Sequence, residues 1–202
     1  YAGIGLYSAE LTDYGIKAEV SATTRCGFTR FTFPKDRGTG RVMIEFHPQT
    51  EYDFYIKDIE VRKLSDTRIE GCVHQYSPNV WSDDAEQDYR IHFVLEFDRP
   101  FTSLGYWCDD ELKFDVDALT HGGCREAGMF AEFDVSGEQV VNIRSAISPV
   151  CIENAAENLQ QEIAVPFGWD LDAVVRNQKD VWNDIFNRVT VSTDNRLEKV
   201  RF

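Results

Sequence analysis

The sequence has no long apolar run, and this absence excludes one class of protein. No stretch reaches 18 consecutive apolar residues, so we expect no helix that inserts into a membrane. The first residues also lack the basic-then-apolar order of a signal peptide. The chain starts without a methionine and enters a strand-like pattern almost at once, so we expect it to be part of a longer protein.

Basic residues are scarce. The chain has 21 Lys and Arg against 35 Asp and Glu, which gives a formal net charge of −14 with no basic run. Such a surface repels a phosphate backbone, so nucleic acid is excluded as a partner. The plain interpretation of the acidic excess is a solvated surface that keeps the protein soluble. The alternative is that some carboxylates bind a cation or sugar hydroxyls.

Motifs for phosphate, zinc and serine chemistry are missing. The two GxG pairs have no third glycine and no following Lys-Ser or Lys-Thr, and there is no GxSxG elbow and no HExxH. A zinc site needs three or four spaced ligands, and the histidines are scattered. They are His47, His74, His92 and His121. We therefore expect structural histidines, no cofactor in this chain, and no metal that is held by this chain alone.

The cysteine count is odd, so at least one thiol has no partner within the chain. The cysteines are Cys26, Cys72, Cys108, Cys124 and Cys151, with no two at CxxC spacing. A Cys108–Cys124 disulfide would contribute about 3 kcal/mol in an oxidising compartment. The other interpretation is buried free thiols, and the sequence leaves both open.

Alternating apolar residues dominate the first three quarters of the chain. Roughly a dozen short strands with polar turns, and no helix before residue 150, predict an antiparallel β-sandwich. In the segment Tyr7–Pro34, Ile16, Ala18, Val20 and Ala22 are predicted to face inward, opposite Lys17, Glu19, Ser21 and Thr23. An irregularity is predicted near Lys57–Asp58, and 109–111 and 120–125 are predicted to border a variable excursion.

The periodicity becomes helical after Pro149. One helix is predicted around Ile152–Ile163 and a second around Val174–Val189, after an Asp170 that can cap it. The final segment, RLEKVRF, is predicted to be the start of a third helix. We predict a sandwich domain at 1–149, incomplete at its N-terminus, and a helical linker at 150–202. Trp107 and Trp182 are predicted to pack in the core, and Trp169 at a helix entrance.

One locus matches the chemistry of a sugar site. Trp81 offers a flat apolar ring for sugar C–H faces, and Asp83 and Asp84 can accept hydrogen bonds from hydroxyls. The favoured interpretation, however, is that Trp81 only anchors an otherwise solvated loop. Arg25 is a further candidate ligand contact, although an ion pair with Glu19 is favoured for it. Other carboxylate pairs assign no glycosidase acid and base, because that needs a defined separation across a sugar.

Several segments resemble glycoside hydrolase family 92, the bacterial calcium-dependent exo-α-mannosidases. They are Leu11–Val20, Thr23–Gly27, Phe31–Pro34, Ile69–Gly71, Phe93–Phe101, Val140–Ser148, Asn154–Glu162, Trp169–Asp172 and Trp182–Asn183. The resemblance covers nearly the whole chain in the correct order.

The resemblance implies a galactose-mutarotase-like sandwich joined by linker helices to an (α/α)₆ catalytic barrel. It implies hydrolysis of terminal α-mannose, commonly α-1,2-linked, with inversion, in which a glutamic acid protonates the leaving oxygen, an aspartate activates water and calcium holds the sugar. These groups belong largely to the barrel, so no catalytic residue is assigned here and the chain alone is predicted to be inactive.

The Gly/His-rich segment that precedes the opening strands in the family, and that helps to form the mannose pocket, is missing from this sequence. The implied partners are mannose-containing glycans and the protein's own barrel. The implied location is the periplasm or the cell surface of a bacterium.

Two alternatives remain open: a free-standing carbohydrate-binding or adhesive module, and a structural cell-envelope domain that binds no sugar. The terminal helices discriminate between a fragment of such a mannosidase and a free-standing module. Ile185, Phe186 and Val189 should be exposed or poorly ordered if a barrel normally packs there, whereas a complete module would bury them.

Overall fold

A computed structural model describes residues 1–47, 54–78 and 86–201. The strands are β1 Ala2–Gly3, β2 Leu6–Leu11, β3 Ile16–Ala22, β4 Cys26–Thr32, β5 Thr39–Glu45, β6 Tyr55–Ser65, β7 Arg68–Ser77, β8 Gln87–Phe97, β9 Ser103–Cys108, β10 Glu111–Lys113, β11 Ala118–Cys124, β12 Ala127–Asp134 and β13 Val140–Ser148. The helices are α1 Ile152–Leu159, α2 Val165–Phe167, α3 Leu171–Phe186 and α4 Arg196–Arg201, and a π-helical turn, Gln160–Ala164, joins α1 to α2.

The strands form two antiparallel sheets. The large sheet has nine strands in the order β1-β2-β3-β4-β13-β8-β7-β6-β11, and the small sheet has four in the order β10-β9-β12-β5. They enclose a core that includes Ile59, Ile69, Phe97, Met129 and Phe133. The predicted β-sandwich is confirmed, because the inward positions of both sheets meet in one apolar layer.

A second core lies on the opposite face of the large sheet. The strand residues in it are Cys26, Phe28, Val94 and Ala146, and the helix residues are Ala155, Leu159, Ile163, Leu171, Val174 and Val175. Strands β4, β13 and β8 therefore bury side chains on both faces. This explains why β8 shows little polar alternation near Phe93–Leu95, as is typical of a strand that is covered twice.

The predicted inward face of β3 is wrong in its second half. Glu19 and Ser21 are buried, whereas Val20 is 37% exposed. Helix α3 packs on β3 and β4, and Ile16 is the residue of β3 that reaches the core between the sheets. The burial of Glu19 is tolerated because Arg30 Nε donates to it at 2.9 Å and Lys17 Nζ at 3.0 Å, and the hydrogen bond from Arg30 lowers its pKa despite burial.

The predicted excursion around residues 109–125 contains two strands instead. β9 and β10 form a hairpin with Cys108 opposite Glu111, and Asp109 adopts a positive φ of 49° in its turn. β11 pairs with β6 at the edge of the large sheet. Its sequence gives little signal because Leu119 and Cys124 are its buried residues among polar residues and glycines. The predicted irregularity near Lys57 is confirmed as a register shift between Ile56 and Asp58.

The helices begin where the sequence predicts. The Asp170 carboxylate accepts a hydrogen bond from the Ala173 N–H at 2.9 Å and caps α3, and the start of α4 is also confirmed. Trp169 lies at the entrance of α3, where the Arg144 guanidinium stacks 3.8 Å from its ring centroid. Trp107 is half-buried. The predicted core position of Trp182 is wrong, because this ring is exposed and lies against Phe186.

None of the helices in the described part of the chain is long and apolar enough to cross a membrane.

A matched pair of substitutions tests the core beneath the helices. Val94→Ala should lower the free energy of unfolding by about 2 kcal/mol, since it removes two methyl groups from a fully buried site. Val20→Ala, the same change at an exposed position, should cost less than about 0.5 kcal/mol. Urea denaturation measures both, and equal losses would contradict the assigned faces.

Candidate functional site

The predicted sugar-site residues divide into two groups. Trp81, Asp83 and Asp84 lie outside the described residues and stay predictions. Arg25 is described and lies in the turn between β3 and β4.

Strand register places Arg25 at a defined end of the large sheet. Cys26, the next residue, pairs with Ala146 of β13, which in turn pairs with Val94 of β8. From there β8 and β7 run further in the same direction, to the pair Gln87 and Ser77. The turn of Arg25 and the outer end of the β7–β8 ladder therefore share one end of the sheet.

Arg25 pairs with Glu162, and the favoured pairing with Glu19 is wrong. Arg25 Nε donates to Glu162 Oε1 at 2.6 Å, and the Arg25 N–H donates to Oε2 at 3.0 Å. Thr23 Oγ1 donates to the same Oε2 at 2.5 Å. One carboxylate of the helical layer thus closes the β3–β4 turn, while Glu19 is occupied by Arg30.

The π-helical turn supplies this carboxylate. Leu159, just before the turn, and Ile163, within it, are fully buried, and Glu162 contacts the end of the sheet. Burial raises the pKa of Glu162, but the hydrogen bonds from Thr23 and Arg25 outweigh it, so its pKa is below the usual value. The neighbouring Cys26 has its pKa raised to about 12, chiefly by burial, so it stays a thiol. A π-helical turn often marks a functional position in a helix.

An open polar cleft of about 370 Å³ lies beside Arg25. It is lined by Arg25, Ser148, Pro149, Val150, Asn154, Glu157, Asn158 and Gln161. The Asn158 amide donates to the Ile147 carbonyl at 3.0 Å and the Gln161 amide to Glu157 at 2.8 Å, while the Arg25 side chain is 52% exposed. Both amides are thus engaged within the protein, and the half-exposed Arg25 guanidinium is a polar group at the cleft that can still reach a ligand.

The carboxylates at the cleft do not form the pair that glycoside hydrolysis uses. Glu157 is its carboxylate, and Glu162 beside it is occupied by Thr23 and Arg25. Glycoside hydrolysis needs two free carboxyl groups across the scissile bond. The polar face of α1 was not singled out from the sequence. Its signal is the spacing of Asn154, Glu157 and Gln161 opposite the buried Ala155 and Leu159.

The outer half of α3 and the residues after it carry an exposed apolar face, which we call the α3 face. It consists of Val181, Trp182, Ile185, Phe186 and Val189, with exposures of 42% to 61%. The expectation that Ile185, Phe186 and Val189 are exposed is therefore confirmed. A contiguous apolar surface of this kind marks an interaction site more often than free surface.

Comparison with known proteins identifies the family. The glycosyl hydrolase family 92 N-terminal domain matches residues 1–148. The chain therefore belongs to glycoside hydrolase family 92. Among curated protein sequences there is no significant match.

Solved structures share the fold. The family GH92 inverting mannosidase BT2199 from Bacteroides thetaiotaomicron matches 96% of this chain and 24% of its own, with a TM-score of 0.76 and 20% identity. The α-mannosidase BT3965 of the same organism matches 96% and 25%, with a TM-score of 0.73 and 20% identity. The GH92 glycosyl hydrolase ccman5 matches 89% and 22%, with a TM-score of 0.70 and 24% identity. The chain thus spans about a quarter of the length of these enzymes.

Glu162→Gln tests the link between the helices and the sheet end. It should lower the free energy of unfolding at neutral pH by about 1–2 kcal/mol, since charge-assisted hydrogen bonds are weakened and Arg25 is half-exposed. Glu157→Gln, on the exposed side of the same helical segment, is the matched control and should cost less than about 0.5 kcal/mol.

The pH dependence gives the same test a second readout. The pKa of Glu162 in the folded protein lies below its ordinary value in an unfolded chain. Its contribution to stability is therefore fully present above that ordinary pKa and is lost as pH falls through the folded pKa. The stability difference between the wild type and Glu162→Gln should therefore shrink in acid. A difference that is constant from neutral pH to pH 3 would contradict the ionised contact.

Proposed function

We propose that the chain is the non-catalytic β-sandwich portion of an exo-acting α-mannosidase. The parent enzyme removes terminal α-mannose, commonly α-1,2-linked, from glycans with inversion and with bound calcium. Family membership supports a glycosidase, and the inverting mannosidase and α-mannosidase with the same fold support mannose as the sugar. The proposal that this chain supports a separate catalytic domain rests on one observation: the α3 face is apolar and exposed in this chain.

The first role of the chain is to support a catalytic barrel. The inner side of α3 is anchored by Leu171, Val174 and Val175, so the helix is fixed on the sheet while its outer half remains free to pack. A second domain that covers Trp182, Ile185 and Phe186 would remove their remaining exposed apolar surface from water. Since each side chain is already about half-buried, the gain is about 1 kcal/mol per side chain. A complete carbohydrate-binding module has no reason to leave such a face open.

The second role of the chain is to form part of the border of the active site. Arg25 and its polar cleft lie at the sheet end that the β7–β8 ladder also reaches. Trp81 would cover an apolar sugar face, and Asp83 and Asp84 would accept hydroxyl hydrogen bonds. The acid, the base and the calcium ligands come from the barrel. We further propose that the enzyme acts in the periplasm or at the bacterial cell surface, as the family resemblance implies.

Mannose release tests the proposal. The protein extended through its following catalytic residues should release mannose from α-1,2-linked mannobiose, and a chelator should abolish release until calcium is restored. The 202-residue chain alone should release none. Turnover by the chain alone would contradict the proposal. An extended protein that folds but releases no mannose would also contradict it. If the 202-residue chain binds glycans and the extended protein binds them no differently, a free-standing binding module would be favoured.

The α3 face has a test of its own. Phe186→Ser should change the stability of the isolated chain by less than about 0.5 kcal/mol, since the ring is exposed, but it should lower the stability of the extended protein by about 2 kcal/mol or more. Asp184→Ser, two residues earlier in the same helix, is the control and should be neutral in both. Equal effects of Phe186→Ser in the two proteins would show that no domain packs on this face.

A further inference from the structure

Three side chains with metal-binding chemistry meet at one end of the sandwich. Cys108 ends β9 in the small sheet, while His121 and Cys124 lie on β11 at the edge of the large sheet. Their ligand atoms, two sulfurs and a ring nitrogen, all lie within 4.8 Å of one another. Both cysteines are buried free thiols and His121 is half-buried.

A carboxylate lies near the His121 ring, somewhat beyond direct hydrogen-bond distance. Glu111 Oε2 lies 4.0 Å from His121 Nε2, and Glu111 is itself held by Lys113 Nζ at 3.3 Å and by the Tyr106 hydroxyl at 3.4 Å. The other ring nitrogen, Nδ1, is buried and has no hydrogen-bond partner among the described residues. A carboxylate on one imidazole nitrogen is the usual outer support of a histidine whose other nitrogen binds a metal.

A buried nitrogen without a partner is costly, so its presence calls for a reason. Two cysteine sulfurs and one imidazole are a donor set that zinc prefers, and hard cations such as calcium prefer oxygen. In a tetrahedral zinc site with bonds of about 2.3 Å, sulfur atoms are about 3.8 Å apart. The three ligand atoms need to contract by about 1 Å at most to reach this geometry.

We propose that Cys108, His121 through Nδ1, and Cys124 bind a divalent zinc-type ion that ties β9 of the small sheet to β11 of the large one. Binding replaces the two thiol protons, which pass to solvent, and forms two sulfur–metal bonds and one nitrogen–metal bond. An open cavity of about 520 Å³ borders Cys124, Asp109 and Lys57 and provides an entry path and room for water as the fourth ligand.

The proposal goes beyond the mannosidase function and does not depend on it. It also departs from the sequence-based expectation that this chain holds no metal by itself. The spacing gave no such signal, because His121 is close to Cys124 in sequence but Cys108 joins them only through the packing of two sheets.

Cobalt substitution tests the site in the 202-residue chain, kept under a reductant that does not bind metals. Co²⁺ should bind in a 1:1 ratio and give the sulfur-to-cobalt charge-transfer band and the visible bands of a tetrahedral site, and Zn²⁺ should displace it. Cys108→Ser and Cys124→Ser should abolish the charge-transfer band or halve it, and His121→Ala should weaken binding about tenfold or more. Cys151→Ser, at a half-buried cysteine elsewhere, is the matched control and should bind as the wild type does.

Glu111→Gln separates orientation from ligation. It should weaken cobalt binding while leaving the charge-transfer band intact, because both sulfurs remain. Circular dichroism checks that each variant folds. If a cysteine variant does not fold, the cobalt affinity of His121→Ala, a change at a half-buried edge position, tests the site instead.

Three results would overturn the proposal. The first is no cobalt binding above that of Cys108→Ser, and the second is cobalt binding that His121→Ala leaves unchanged. The third is a Cys108–Cys124 disulfide in protein prepared without reductant, seen as the loss of two hydrogens in the intact mass and reversed by reduction.

Discussion

The structure depends on the burial of three central strands, β4, β13 and β8, on both of their faces. On one face Phe97 and Ile143 meet the small sheet, and on the other Phe28, Val94 and Ala146 meet the helices. Neither layer can be removed without exposing an apolar surface of the large sheet. Helix α1, the π-helical turn and the first part of α3, up to Val175, are thus part of the fold of the strands and not an appendage to them.

Polar contacts at the edges of this second core fix the position of the helices. Glu162 closes the Arg25 turn, and Arg144 stacks on Trp169 and donates to the Gly168 carbonyl at 3.2 Å. Gly168 has a positive φ of 57°, which ends α2 and lets the chain turn into α3. The α3 face and the Arg25 cleft are therefore held by the same helical layer on the large sheet.

The sequence predicted the architecture because alternation and helical periodicity are local signals. The succession of short strands, the irregularity near Lys57 and the Asp170 cap were all predicted from such local signals. The phase of β3 was not, because α3, about 150 residues later, decides which of its faces is covered. The same limit applies to the site. The Glu162 partner of Arg25 lies 137 residues away, and the Cys108, His121 and Cys124 group forms only when two sheets pack.

Native-state hydrogen exchange of the isolated chain tests most directly whether the helices belong to the core. The amides of α1, of the π-helical turn and of α3 up to Val175 should exchange as slowly as those of β8 and β13, by global unfolding, while amides beyond Trp182 should exchange much faster. If the amides of α1 and early α3 exchanged many times faster than the strand amides, the helices would be a loosely attached tail and the account would be wrong.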